Sequence, residues 1–123
     1  MAGGKILCID DDELGLKVRK LTLESEGFQV ATADSGKNGL ELLAASPFDI
    51  VLLDHSMPGM NGGEVARHIR SLYPATPIIF LSAYVTLPEE HVRLVDAYIT
   101  KGEATETLLA VIRGLMGTKS SKA

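Results

Sequence analysis

The chain has no tryptophan, one cysteine, and only three tyrosines and three phenylalanines among its 123 residues. With Cys8 alone there is no internal disulfide, and its place in an apolar run makes it a small core residue. Excess positive charge is also missing. Twelve Lys and Arg against sixteen Asp and Glu leave a formal net charge of −4. Nucleic-acid binding needs a basic face, so DNA and RNA are not expected partners. No apolar run approaches the roughly eighteen residues of a membrane span, and no signal-peptide pattern precedes Lys5. A cytoplasmic protein without a membrane partner is expected. Internal repeats and low-complexity core segments are absent.

What remains fits one domain. At this length roughly two-thirds of the unfolded surface can be buried, so neither disulfide nor structural metal is needed for folding. The domain is expected over residues 5–117, between a flexible start at 1–4 and a flexible Ser/Lys tail at 118–123.

Short apolar runs alternate with helical patterns along it. Lys5 to Ile9 reads as a strand, and Glu13 to Glu26 as a helix capped by Asp12 and ended by Gly27. Phe28 to Ala33 is a second strand, and Ser35 to Ala45 a helix that Ser35 caps and Pro47 limits. Ile50 to Leu53 is apolar at every position, the mark of a strand covered on both faces. A helix over Glu64 to Leu72 follows, then a doubly buried strand from Pro77 to Leu81. Pro88 to Val95 gives a brief helix, Tyr98 to Thr100 a fifth strand and Thr105 to Met116 a closing helix. This alternation predicts an α/β fold with one five-stranded parallel sheet, doubly wound into three layers.

Ligands of such sheets lie beyond the carboxyl ends of the strands, where strand order switches. Strand one ends in Asp10-Asp11-Asp12, strand three in Asp54, strand four in Ser82 and strand five in Lys101. In the order 2-1-3-4-5 strands one and three are neighbours, and their carboxylates converge. Such a cluster repels itself unless a cation is present, and its hard oxygen donors suit Mg²⁺. Asp54 can then act as the nucleophile of phosphoryl transfer, with the Lys101 ammonium and Ser82 hydroxyl stabilising the charge in flight.

Ile9 to Asp12, Asp54-His55-Ser56-Met57-Pro58-Gly59-Met60-Asn61-Gly62, Leu81-Ser82-Ala83 and Tyr98 to Lys101 together resemble the receiver domain of two-component response regulators. The resemblance covers residues 5 to about 116. It implies a flavodoxin-like sandwich in a phosphorelay switch that catalyses only its own aspartyl phosphorylation and dephosphorylation, expected as a stand-alone receiver or equally as the receiver of a longer protein. Asp54 matches the phosphoacceptor, Asp10 and Asp11 the acidic pair at the metal, and Ser56 the residue whose carbonyl completes the Mg²⁺ site. Ser82 matches the switch hydroxyl, Ala83 the small residue beside the phosphoryl group, Lys101 the phosphate-binding lysine and Tyr98 the aromatic that turns inward on activation. The implied donor is a phosphohistidine on a sensor histidine kinase or histidine phosphotransfer protein. The implied receiver of the signal is a downstream protein partner, and the chain itself is expected as a monomer or weak dimer.

Two features depart from that family pattern. Gly102 stands where relatives usually carry a proline, commonly cis. The stretch from Ser82 to Lys101 is a few residues short, so the fourth helix is expected to be stunted. Ser56 and Tyr84 occupy positions that tune phosphoryl lifetime in relatives.

Each of these residues also has a plainer structural role open to it. Asp12 serves as a helix cap, Ser82 alone could bond backbone, and Tyr98 could be an edge-strand aromatic. His55 has no His or Cys partner at ligand spacing and is expected to point off the site. His68 and His91 are expected to be solvated. Gly59, Gly62 and Gly63 suit a turn and a close helix start rather than a phosphate loop. A Mg²⁺-dependent phosphatase would usually carry a second Asp where Ser56 stands. A pseudo-receiver would usually lack part of the acid set.

Overall fold

A computed structural model describes residues 4–55, 57, 61–83 and 86–120. Its elements alternate as β1 (Gly4–Ile9), α1 (Glu13–Ser25), β2 (Phe28–Ala33), α2 (Gly36–Ala45), β3 (Ile50–Asp54), α3 (Gly62–Leu72), β4 (Ile78–Ser82), α4 (Glu89–Val92), β5 (Ala97–Thr100) and α5 (Thr105–Ser120). The strands form one parallel sheet in the order β2-β1-β3-β4-β5.

Because successive strand side chains point to opposite faces, each fully apolar strand feeds two cores. On one face Ile6, Cys8, Leu52, Ile79 and Leu81 meet Leu16 and Leu23 of α1 and Ile112 of α5. On the other, Leu7, Ile9, Leu53 and Phe80 meet Leu43 of α2 and Val65 and Ile69 of α3. The result is the expected three-layer, doubly wound sandwich.

Local chemistry sets the helix ends. The Asp12 carboxylate accepts the Gly15 N–H at 3.2 Å and starts α1. Ser35 likewise accepts from Asn38. Gly27, at φ 98°, ends α1 in a left-handed conformation that glycine adopts without steric cost. The third helix begins at Gly62, two residues before the expected Glu64. A reciprocal capping box drives this extension, with Asn61 accepting the Glu64 N–H while Glu64 accepts that of Asn61.

The fourth helix is shorter than expected, running only Glu89–Val92. Arg70 reaches from α3 across this region, donating to the Leu94 carbonyl at 3.0 Å and to Asp96 at 2.9 Å. Asp96 in turn accepts the Ile78 N–H, so β4 and the approach to β5 are tied to α3. The fifth helix continues four residues beyond the expected Met116, to Ser120. No described peptide bond is cis, so Lys101–Gly102 is trans. Among the described residues no helix is long and apolar enough to cross a membrane. Ser56, Gly59 and Tyr84, singled out in the sequence, lie outside the described residues.

Gly62 packs where no side chain fits. A Cβ there would lie 2.6 Å from the His55 Cα and 2.7 Å from the Asp54 carbonyl oxygen. Gly62→Ala should therefore destabilise the fold by about 1–3 kcal/mol. At Gly102, a Cβ would meet nothing within 4 Å, and Gly102→Ala should stay within about 0.5 kcal/mol of the parent. Urea unfolding of both variants checks the contrast.

Candidate functional site: an acid cluster at the strand ends

Parallel register builds the site. Ile9 of β1 pairs with Leu53 of β3, so the next residues, Asp10 and Asp54, emerge side by side. Asp54 also opposes Leu81 of β4, and Ser82 opposes Thr100 of β5, immediately before Lys101. Backbone bonds close this edge, with the Lys101 N–H donating to the Ser82 carbonyl at 2.7 Å and the His55 N–H to that of Leu81 at 2.9 Å.

Asp10 is 1% exposed and Asp54 4%. With solvent-exposed Asp11 they offer oxygen atoms that all lie within 4.8 Å of one another. The Lys101 ammonium bridges the buried pair, 3.3 Å from Asp10 Oδ2 and 3.2 Å from Asp54 Oδ1. The Asp12 N–H donates to Asp10 Oδ1 at 3.0 Å.

The two carboxyls respond to this crowding in opposite directions. Burial, then the charge of Asp10, pushes Asp54 up to about 6 against the pull of Lys101. Burial would raise Asp10 too, but the Asp12 N–H, the Lys101 charge and the bond from Asp54 outweigh it and hold it below the usual carboxylate value. Lys101 would be lowered by burial, yet the charges of Asp54 and Asp10 raise it. The pair thus holds one proton unusually far towards neutral pH. Three hard, anionic donors in such short range fit a divalent cation of the Mg²⁺ type. The carbonyl of Ser56 lies outside the described residues.

Ser82 is buried at the end of β4, and Ala83 is exposed just beyond it. Tyr98 sits on β5 with 39% of its surface exposed. The sheet therefore brings Asp10, Asp11, Asp54, Ser82 and Lys101 to one edge and leaves Tyr98 at its flank.

The histidines differ in part from expectation. His68 is exposed, as the sequence reading had it. His91 is not freely solvated: its Nδ1 lies 2.8 Å from His55 Nε2, with its ring packed over Gly63. His55 also sets its ring edge-on to Phe80, with centroids 5.1 Å apart. Burial and His91 lower its pKa. The pairing joins residues far apart in sequence, so ligand spacing could not reveal it.

Arg19 joins the site although no sequence motif marks it. Its Nη1 lies 3.5 Å from Asp10 Oδ2, and its side chain is 17% exposed. A signal existed, because Arg19 falls on the same face of α1 as buried Leu16 and Leu23.

The comparisons agree with this geometry. A family profile of the response regulator receiver domain matches residues 6–113, and the chain belongs to that family. It is 36% identical over 125 residues to the uncharacterized transcriptional regulatory protein YkoG of Bacillus subtilis, covering 99% of this chain and 55% of that protein. It is 36% identical over 116 residues to the cell cycle response regulator CtrA of Brucella ovis, covering 91% and 50%. The chain thus spans about half the length of the curated relatives it matches. Among solved structures, a CheY-like receiver domain protein of Methanospirillum hungatei superposes with a TM-score of 0.90 at 30% identity, covering 97% of this chain and 98% of that one. The response regulator TrrA of Thermotoga maritima, solved in complex with Mg²⁺-BeF, gives 0.86 at 31%, covering 94% and 99%.

The raised Asp54 carboxyl has a consequence for folding. A carboxyl whose folded pKa lies above its unfolded value stabilises the native state at low pH and loses that contribution as pH rises through the folded value. Without divalent cation, Asp54→Asn should therefore raise the Tm at pH near 7.5 by a few degrees, on the order of 1–2 kcal/mol. The gain should shrink as pH falls below about 6. Calorimetry across pH checks both sign and window.

Proposed function

We propose that the chain accepts a phosphoryl group on Asp54 from a protein phosphohistidine and thereby switches its contacts with a downstream protein. The observation that carries this is the pair of buried carboxylates under one lysine, at the switch point of a receiver-family sheet.

In the step, an Asp54 oxygen attacks phosphorus and forms an acyl phosphate P–O bond. The P–N bond of the phosphoimidazole breaks, and the leaving imidazole nitrogen takes up a proton. Asp10, Asp11 and Asp54, with the carbonyl of Ser56, would hold a Mg²⁺ that neutralises charge on the phosphoryl oxygens. Lys101, already 3.2 Å from Asp54, is placed to bind a phosphoryl oxygen. Ser82, ending the neighbouring strand, would supply a hydroxyl to the group, and Ala83 would leave room for it.

The added group brings roughly −1.5 to −2 charge units. Lys101 and Ser82 gain contacts to it, and Tyr98 on the adjoining strand repacks. Such differential contacts are what shift the population towards the signalling state. That a protein is the donor is supported by α1, which carries exposed Leu14, Val18 and Leu21. Leu14 and Val18 line a groove that reaches Lys101, so a partner seated on this stripe would lie beside the phosphoacceptor.

Incubation with Mg²⁺ and phosphoramidate, followed by intact-mass measurement, tests the assignment. One phosphoryl group should be gained, removed by hydroxylamine and not gained by Asp54→Asn. A label that persists in that variant, or no label while Mg²⁺ binds, would refute it.

A further inference from the structure

The inner face of α1 carries a charge where its pattern calls for an apolar residue. Leu16 and Leu23 are buried against the sheet, and Arg19 lies between them at helical spacing. Its neighbour Lys17 points outward, and Lys20, on the opposite flank of the same stripe, turns to the surface and pairs with Glu24. The Arg19 guanidinium runs inward, close enough to β1 for its charge to be felt at buried Cys8. It ends 3.5 Å from the Asp10 carboxylate.

The Asp10 oxygen that it meets is already claimed. Oδ2 also receives the Lys101 ammonium at 3.3 Å, while Oδ1 receives the Asp12 N–H. Both cations line one groove of about 390 Å³ between α1 and the start of α5. The acid cluster is thus approached by two positive groups, and they differ. Lys101 also contacts Asp54 and stands about one-third exposed, so it can follow a ligand. Arg19 is largely enclosed and holds its guanidinium against Asp10.

We propose that Arg19 is a positioning residue for Asp10 that acts as a fixed electrostatic counterweight to Mg²⁺. It holds one edge of the Asp10 carboxylate while the site is without metal, and it lowers the negative potential that the site presents to a divalent cation. This rests on the reading that the acid cluster holds Mg²⁺. Two consequences follow from the contacts. The metal-free site carries less unbalanced charge than its three carboxylates would otherwise impose, and Mg²⁺ binds more weakly than it would to the same acids alone. Because Arg19 stays on Asp10, Lys101 can leave that oxygen for a phosphoryl group without abandoning a buried charge.

Calorimetric titration of the metal-free protein with MgCl₂ tests this without any phosphorylation. Arg19→Met keeps the length and the apolar stem but removes the charge. It should tighten Mg²⁺ binding by roughly five- to tenfold, the scale of one nearby unit charge acting on a divalent ion in a partly solvated site. Arg19→Lys should stay within about twofold of the parent, and raised ionic strength should narrow the gap between Met and parent. Should Arg19→Met fail to fold, Arg19→Gln carries the same expectation. An unchanged or weakened affinity in the neutral variant overturns the proposal, as does equal tightening by Arg19→Lys. Absence of Mg²⁺ binding by the parent itself would instead sink the reading of the acid cluster as a metal site.

Discussion

Two carboxylates forced side by side at the end of a buried parallel sheet are the constraint around which the other features are arranged. The pairing of Ile9 with Leu53 leaves Asp10 and Asp54 no choice of neighbour. Burial removes the water that would screen them, so their repulsion must be met by protons, lysine, arginine or metal. The fully apolar strands that drive folding therefore also build the unfavourable charge. The same burial that stabilises the sheet makes its edge respond strongly to any change in charge.

That response is confined by how the surrounding elements are fastened. Gly62 allows α3 to start in contact with the Asp54 and His55 backbone, which fixes the floor of the site. Arg70 and Asp96 anchor the beginning of β4 and the approach to β5, and backbone bonds from Lys101 and His55 close their carboxyl ends. The short α4 meets the residue after Asp54 through the His55–His91 contact. The residue beside Asp54 thus touches the short helix directly. Arg19 approaches from below, on the α1 side of the sheet.

Much of this was legible in the chain itself. Doubly buried strands announce themselves as unbroken apolar runs, and the topology rules for parallel sheets then determine which strand ends meet. Asp10, Asp54 and Lys101 were found through that logic, because their placement depends on backbone register alone. The capping box at Asn61 and Glu64 was equally present in the sequence, and it starts the helix at Gly62, two residues ahead of where the helical pattern alone places it. His91 escaped because its contact with His55 depends on how a short helix lies over Gly63, which no local pattern encodes. Arg19 escaped for a different reason. A lone arginine between Lys17 and Lys20 reads as surface until the helix face is counted, and its partner lies across a layer boundary.

The protonation of Asp54 tests the constraint itself. The side-chain carboxyl carbon of Asp54, followed by ¹³C NMR from about pH 4 to about pH 8 without divalent cation, should titrate near 6. Added Mg²⁺ should move that midpoint downward, because a cation at the cluster favours the ionised form. A midpoint in the ordinary carboxylate range, unmoved by Mg²⁺, would mean that the two acids neither crowd one another nor share a metal, and would contradict the account.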